Sequence, residues 1–242
     1  IEAFLAQHTM LNYYLAFLPP NKQSTLRTLA EDMDIKSLSN RLPFPKSKHP
    51  RFLRFCPLCV KENREVYGEA YWNRAHQMHG ISVCHKHQCK LLDSSVELSS
   101  QVPPMLIAAE ETLGEEWDII EPTSANEMRL SLYAYQVLQT STVSENAIGS
   151  YLSKRLMDTS YVSHRGVQRN ISELTKDFLE YYKGMDLLGF GQNWQIEKVF
   201  SNQRINPFEI CLLGMFLNIS PEKLVKRNAD EGNNIVECFD RN

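Results

Sequence analysis

Cys56-Pro-Leu-Cys59 and Cys84-His-Lys-His87 are two short turns of similar pattern, separated by twenty-four residues. A Cys-x-x-Cys turn brings two sulfur atoms to one side of a tight loop, and a second turn can supply two more ligands. Three thiolates and one imidazole are a usual ligand set for a structural zinc ion, which four protein ligands hold tetrahedrally. The spacing therefore predicts one structural Zn²⁺ bound by Cys56, Cys59, Cys84 and His87. Because four protein ligands leave no position for water, this zinc is not expected to be catalytic.

Neighbouring residues leave two alternatives open. Cys89 can replace His87 as the fourth ligand, because the spacing of zinc ligands varies. His85 lies between two predicted ligands and is expected to point away from the metal if His87 binds it. A redox pair made by Cys56 and Cys59 is the other alternative, but that chemistry needs a thioredoxin-like βαβ setting, which the sequence does not show.

Composition and charge are those of an ordinary globular protein. The chain has 242 residues, of which 43% are hydrophobic, so a substantial core can form and the metal need not hold the whole chain together. The net charge of −3 counts against nucleic acid as the sole partner. The charge is uneven, however: residues 41–60 contain basic side chains and no acid, whereas residues 97–127 contain acids and no Lys or Arg. A basic face can meet phosphate while the acidic stretch faces elsewhere.

The cysteines and the absence of long apolar runs in the sequence bear on the cellular compartment. Four of the six cysteines lie within residues 56–89, which favours metal binding in a reducing compartment over secreted disulfides. The sequence has neither an apolar run long enough to span a membrane nor a signal peptide, so we expect a cytoplasmic protein with no membrane partner. The chain begins at Ile1, inside a predicted helix, which indicates a fragment.

The periodicity of apolar residues predicts a mainly α fold: helical, helix-turn-helix-like parts with a small zinc-ribbon-like insert. We divide the chain into an N-terminal helical part (1–50), a zinc-binding segment (51–93), an acidic connector (94–123) and a C-terminal helical domain (124–242). One helix is predicted over Ile1–Leu18 and a second over Asn21–Met33. Residues Phe55–Leu92 are predicted to form turns and small strands around the metal. Later helices are expected to start at Asn170, Asn206-Pro207 and Ser220-Pro221, which carry capping residues or a first-turn proline.

Two later helix pairs can be helix-turn-helix units. The first joins Glu145–Met157 to Ile171–Tyr182, and the second joins Pro207–Leu217 to Pro221–Arg227 through the short turn that such motifs need. The alternative is that each pair is an αα-hairpin, with its apolar stripe in the core and its charges in solvent.

Two predictions concern packing. Tyr67, Tyr71 and Trp72 are expected to pack behind the metal, because a small metal-held segment has little other core. Stacking on nucleic-acid bases is the alternative for these aromatic residues. Cys211 lies in the apolar run Ile210–Leu213 and is predicted to be a buried core thiol.

The residues around the ligands resemble the zinc segment of the TnsD/TniQ family. The matching stretches are Arg51-Phe-Leu-Arg-Phe-Cys-Pro-Leu-Cys59, Tyr67-Gly-Glu-Ala-Tyr-Trp72, His76-Gln77 and Val83-Cys-His-Lys-His87. His85 and Gln88 depart from the family pattern, since Pro and Gly are common there. The resemblance extends to His8-Thr9 through Phe17-Leu18, and in the helical half to Tyr161-Val-Ser-His-Arg-Gly166, Trp194 and Arg204-x-x-Pro207. Family members normally begin with a further helical segment.

The resemblance implies a bacterial, nucleoid-associated protein with a role in DNA transposition without catalysis. Proteins of this family choose where a transposable element inserts. TnsD-type members bind a double-stranded DNA site and recruit an AAA+ ATPase regulator of the TnsC type, whereas TniQ-type members dock on subunits of an RNA-guided CRISPR effector. We expect the first role, and a protein–protein adaptor with little DNA readout is the second hypothesis. The sequence shows no paired carboxylates, Ser/His/Asp set or phosphate-binding glycine loop, so no enzyme activity is expected beyond the weak redox alternative.

Basic side chains near the zinc turn and in the helical half are the candidates for contacts with the DNA backbone. They are Lys48, Arg51, Arg54, Arg165, Arg169, Lys223 and Arg227. The alternative for each is a solubilising charge on a solvated surface.

Overall fold

The computed structural model describes residues 1–43, 50–98, 107–140, 144–157, 159–162 and 169–227. Within those ranges the chain forms twelve α-helices, one 3₁₀ turn at Arg74–Gln77 and one antiparallel pair of strands. The helices are α1 (Glu2–His8), α2 (Leu11–Leu15), α3 (Pro20–Glu31), α4 (Ile35–Arg41), α5 (Pro57–Tyr67), α6 (Ala109–Thr112), α7 (Ala125–Gln139), α8 (Ile148–Leu156), α9 (Ile171–Tyr181), α10 (Asn193–Phe200), α11 (Pro207–Phe216) and α12 (Pro221–Lys226). The strands are β1 (Phe52–Phe55) and β2 (Leu92–Glu97). The predicted fold class, mainly helical with a small Cys/His-rich insert, is confirmed.

The N-terminal region is two helices and not the single predicted helix over Ile1–Leu18. The chain becomes extended at Thr9, which separates α1 from α2. The Thr9 hydroxyl donates to the Leu5 carbonyl at 2.6 Å and accepts from the Leu11 amide at 3.1 Å. A threonine side chain that satisfies the backbone on both sides competes with the continuing helix, which explains the break. All five residues of α2 are buried, whereas none in α1 is.

Helix starts in the second half follow the predicted caps. The Asn170 side chain accepts from the Glu173 amide at the start of α9, and Asn206 accepts from the Phe208 amide at the start of α11. The Ser220 hydroxyl accepts from the Lys223 amide at the start of α12. Each side chain satisfies an amide that has no partner within the helix, so it fixes where the helix begins.

The main core surrounds α7, which packs against α2, α11 and α12. Helix α11 is buried from Pro207 to Gly214, as expected for a helix that is apolar on all sides. Cys211 lies inside it and is fully buried, which confirms the predicted core thiol. Ala75, Met78 and Ile81 belong to the same apolar cluster as the helical half. The Cys/His-rich segment is therefore anchored directly on the helical core.

Candidate metal centre

The first ligand turn lies where strand β1 passes into helix α5. Cys56 is the N-cap of α5, and its sulfur accepts a hydrogen bond from the Cys59 amide at 3.4 Å. Pro57 occupies the first helical position, and Gly68 ends the helix with a left-handed φ of 84°. The prediction of turns and small strands throughout Phe55–Leu92 is wrong here, because an N-terminal proline and a C-terminal glycine delimit an eleven-residue helix.

The second ligand turn is a closed hairpin. Val83 and Lys90 pair as an antiparallel bridge, and the Cys84 amide donates to the Cys89 carbonyl at 2.8 Å. Gln88 has a φ of 55°, in the left-handed region that glycine adopts without strain. This backbone conformation suits the glycine that the resemblance led us to expect there, and in this chain glutamine adopts it.

Four ligand atoms converge between the two turns. The three sulfur atoms of Cys56, Cys59 and Cys84 and one ring nitrogen of His87 all lie within 4.8 Å of one another. The Sγ atoms of Cys59 and Cys84 are 3.7 Å apart. The His87 Nδ1 atom is 3.5, 3.3 and 3.9 Å from the Sγ atoms of Cys56, Cys59 and Cys84. A tetrahedral zinc ion with ordinary bond lengths gives sulfur–sulfur and sulfur–nitrogen edges of roughly 3.6–3.8 Å, so the four residues fit one such ion.

The electrostatics of the sulfur cluster also suit a cation. Hydrogen bonds from Cys59 and then Cys84 lower the pKa of Cys56 to about 3, while the same hydrogen bond to Cys56 raises the pKa of Cys59 far above its ordinary value. Thiols packed this closely cannot all ionise unless a positive charge offsets their repulsion. A divalent ion supplies that charge and binds the deprotonated sulfurs.

Two further residues hold the ligands in place, and sequence reasoning missed both. The Nε2 atom of His87 lies 3.5 Å from a carboxylate oxygen of Glu62, which also pairs with Lys86. Glu62 lies one helical turn after Cys59 on α5, and that spacing is the signal that could have identified it. His76 is buried, and its Nε2 atom is 3.8 Å from the Cys59 sulfur. Such outer partners fix the orientation of an imidazole ligand and the charge on a thiolate ligand.

His85 and Cys89, the two residues considered as alternatives near the ligands, lie in different positions. The His85 ring stacks on Tyr135, with ring centroids 3.7 Å apart and an interplanar angle of 12°, so it points away from the sulfur cluster as expected. The group of four converging ligand atoms includes His87 and does not include Cys89. Cys89 nevertheless lies against the cluster, 3.4 Å from the Cys56 sulfur.

Basic side chains brace this segment internally and join it to the helical half. Arg54 donates to the carbonyl oxygens of Met78 and Ile81, and burial lowers its pKa to about 10. The predicted contact between Arg54 and DNA is therefore not compatible with its position, since its guanidinium group is used inside the protein. Lys90 pairs with the buried carboxylate of Glu127 on α7 at 2.6 Å.

The other candidate DNA contacts are scattered. Arg227 is 1% exposed and donates to the carbonyl oxygens of Ala16, Ser144 and Asn146, so it cannot reach a phosphate. Lys48 and Arg165 lie outside the described residues.

Three candidates remain on described surface. Arg51 is well exposed and pairs with Glu97, while Arg169 is partly exposed and pairs with Glu197. Lys223 is half-buried on α12. These three residues lie on three different parts of the chain: beside β1, before α9 and on α12.

The aromatic residues of the segment are split between core and surface. Trp72 packs in a small cluster around Phe55 and Val60, and its indole N–H donates to the Ile107 carbonyl at 2.7 Å. Tyr67 and Tyr71 are exposed and form an edge-to-face pair, so the prediction that they pack behind the metal is wrong. Trp117, from the acidic connector, contributes to the small core where they were expected.

Both helices of the second pair pack against α7. Both α11 and α12 contact α7, and Leu224 and Val225 of α12 are buried. Only Glu222 of α12 is fully exposed, with Pro221, Lys223 and Lys226 intermediate. The connection of the first pair lies partly outside the described residues. A helix-turn-helix contact with DNA therefore stays a prediction for both pairs.

Fold and site together define a mainly helical protein with a Cys/His cluster that can hold one metal ion. Residues 1–91 match the sequence model of the TniQ family. The chain thus carries a TniQ segment, and the resemblance to the TnsD/TniQ family is confirmed over those residues. A TniQ segment indicates a transposition-associated protein. A search of curated proteins found no match. Among the helices in the described ranges, none has the length and apolarity needed to cross a bilayer.

Proposed function

We propose that the chain selects target sites for DNA transposition and brings an AAA+ ATPase regulator of the TnsC type to the chosen site. The observation that carries this proposal is the TniQ match over residues 1–91, which encloses all four converging ligands. Its function is positioning and not catalysis: the chain holds other components in place and makes or breaks no bond itself.

The metal centre is proposed to bind one structural Zn²⁺ through Cys56, Cys59, Cys84 and His87. Its place in the fold supports that role, because three of the four ligands are buried and the pair between Lys90 and Glu127 ties the segment to α7. When bound, the ion neutralises the clustered thiolates and fixes the strand–helix junction relative to the hairpin.

DNA contact is proposed for Arg51, Arg169 and Lys223, together with Lys48 and Arg165. Arg51 has the strongest support, since 74% of its side chain is exposed beside the metal-binding segment. Its partner Glu97 is itself exposed, and a surface ion pair of this kind is weak enough to exchange for a phosphate.

A second candidate function is an adaptor that docks on subunits of an RNA-guided CRISPR complex and reads little DNA itself. The fate of the predicted basic residues favours it. Arg54 and Arg227 donate hydrogen bonds to backbone carbonyls. Arg51 and Arg169 form ion pairs with glutamates. The net charge of −3 also gives the chain no overall positive charge to attract a phosphate backbone.

Charge reversal in the full chain separates the two candidates. Arg51→Glu, Arg169→Glu and Lys223→Glu are measured for DNA binding across a salt series and for capture of the element's ATPase. Lys22→Glu, on the exposed face of α3, is the matched control. If the selector proposal holds, each reversal lowers affinity on all sequences and reduces the salt slope by about one unit, and the control does neither. Unchanged DNA binding in all three variants, with loss of ATPase capture, would favour the adaptor.

A further inference from the structure

Cys89 is a fifth side chain of a metal-ligating type beside a centre that needs four ligands. Its side chain is 2% exposed, and its sulfur lies 3.4 Å from the Cys56 sulfur, within the sulfur–sulfur edge of about 3.8 Å that a zinc tetrahedron has. It makes one buried cluster with Cys56, Cys59 and Cys84. The cluster therefore contains four thiols as well as the imidazole of His87.

The hairpin places Cys89 directly opposite a ligand. Cys84 and Cys89 stand at the two ends of the turn, joined by the hydrogen bond from the Cys84 amide to the Cys89 carbonyl. The bridge between Val83 and Lys90 closes the hairpin just outside them. A change of side-chain torsion at Cys89 can therefore redirect its sulfur without opening the turn.

His87 is the ligand that solvent can reach. Its side chain is 20% exposed, and its Nε2 atom faces Glu62, whose side chain is 39% exposed. Cys89 lies on the inner side of the cluster and is nearly inaccessible. If His87 leaves its coordination position, its imidazole can move toward solvent. The thiol of Cys89 then lies next to the vacant position.

We propose that Cys89 is a reserve ligand, so that the centre has two alternative ligand sets, Cys₃His and Cys₄. In the exchange the metal–nitrogen bond to His87 breaks, a metal–sulfur bond to Cys89 forms, and the thiol proton passes to solvent. The second set is softer, so it suits thiophilic ions such as Cd²⁺ better than the first. This inference rests on the metal centre proposed above.

Cobalt(II) is the probe, because its absorption reports both the number of thiolates and the ligand field. The full chain is loaded with Co²⁺ as wild type, Cys89→Ser, His87→Ala and the double variant His87→Ala/Cys89→Ser. Wild type and Cys89→Ser are expected to show three thiolates with one imidazole. His87→Ala should keep one Co²⁺ per chain, with a sulfur-to-cobalt band stronger by about one third and ligand-field bands at longer wavelength. The double variant should bind at least about tenfold more weakly than His87→Ala.

The outcomes separate this inference from the centre itself. Equal metal loss in His87→Ala and in the double variant, or a three-thiolate band in His87→Ala, overturns the reserve ligand. Metal loss in Cys89→Ser with His87 intact also overturns it, since Cys89 would then be a resident ligand. A wild-type chain that binds neither Zn²⁺ nor Co²⁺ refutes the centre.

A second measurement covers the case in which His87→Ala fails to fold. In the otherwise native chain, Cd²⁺ should recruit all four thiols, so Cys89→Ser should lower the sulfur-to-cadmium absorption by about one quarter. An unchanged band overturns the proposal.

Discussion

The Cys/His-rich segment and the helical half are held together by different forces. In the helical half, buried apolar side chains from α7 to α12 form one continuous cluster that also takes in α2. The segment between β1 and β2 contributes Ala75, Met78 and Ile81 to that cluster, and it also has a small apolar cluster around Phe55 and a cluster of four cysteines. Apolar burial stabilises the first region whatever the solution contains, whereas we propose that the second depends on a bound ion. The two regions of the chain should therefore unfold under different conditions.

The largest expected effect comes from removing one ligand. Cys84→Ser should release the metal and unfold residues 55–92 locally, because the remaining clusters there are small. The helical half should stay folded, so most of the helical circular dichroism should persist while zinc content falls to zero.

Cys211→Ser is the matched control, since it makes the same substitution in the other region. It should keep the zinc and lower the global free energy of unfolding by about 1–3 kcal/mol, because a hydroxyl replaces a thiol in the apolar core. Both regions melting together in Cys84→Ser, as followed by circular dichroism and zinc release, would contradict the comparison.

A smaller effect is expected where the N-terminal helices meet the far end of the described chain. Arg227→Met should lower the free energy of unfolding by about 1–3 kcal/mol, because the carbonyls of Ala16, Ser144 and Asn146 lose a buried donor. The salt slope of DNA binding should not change, since the guanidinium group does not face solvent. Lys226→Met, which removes a surface charge paired with Glu222, is the control and should leave the unfolding midpoint in place. A weaker salt slope in Arg227→Met would restore that arginine as a DNA contact.

The smallest effect tests the contact between the two regions. His85→Ala should cost about 0.5–1.5 kcal/mol through loss of the stack on Tyr135, while zinc content stays at one per chain. A double-mutant cycle with Tyr135→Ala measures the coupling directly. Loss of the metal in His85→Ala would mean that His85, and not His87, belongs to the ligand set.

The features that were predicted correctly from the sequence depend on residues that lie close together in the chain. The four converging ligands and the starts of α9, α11 and α12 each follow from residues a few positions apart. Helix α5 was missed because the Cys-x-x-Cys turn that suggested loops is also the first turn of that helix.

The wrong predictions concern side chains whose burial depends on residues that are distant in the sequence. Arg54 and Arg227 looked like surface charges, but carbonyl groups far away in sequence bind them. Tyr67 and Tyr71 lie on the surface because Trp117, from another segment, takes part in the small core. Sequence pattern reports how often residues of a type are buried, and it does not report which distant partner arrives to bury them.

The hydrogen bond between Arg227 and the Ala16 carbonyl joins residues 211 positions apart in the chain. The four metal ligands, by contrast, lie within residues 56–87. A short loop closes faster and at a smaller entropic cost than a long one. During synthesis on the ribosome, the ligand turns can therefore meet as soon as their own segment has emerged, whereas α2 must wait for almost the entire described chain before its last partner arrives. We therefore expect the two ligand turns to form before the helical core is closed by Arg227.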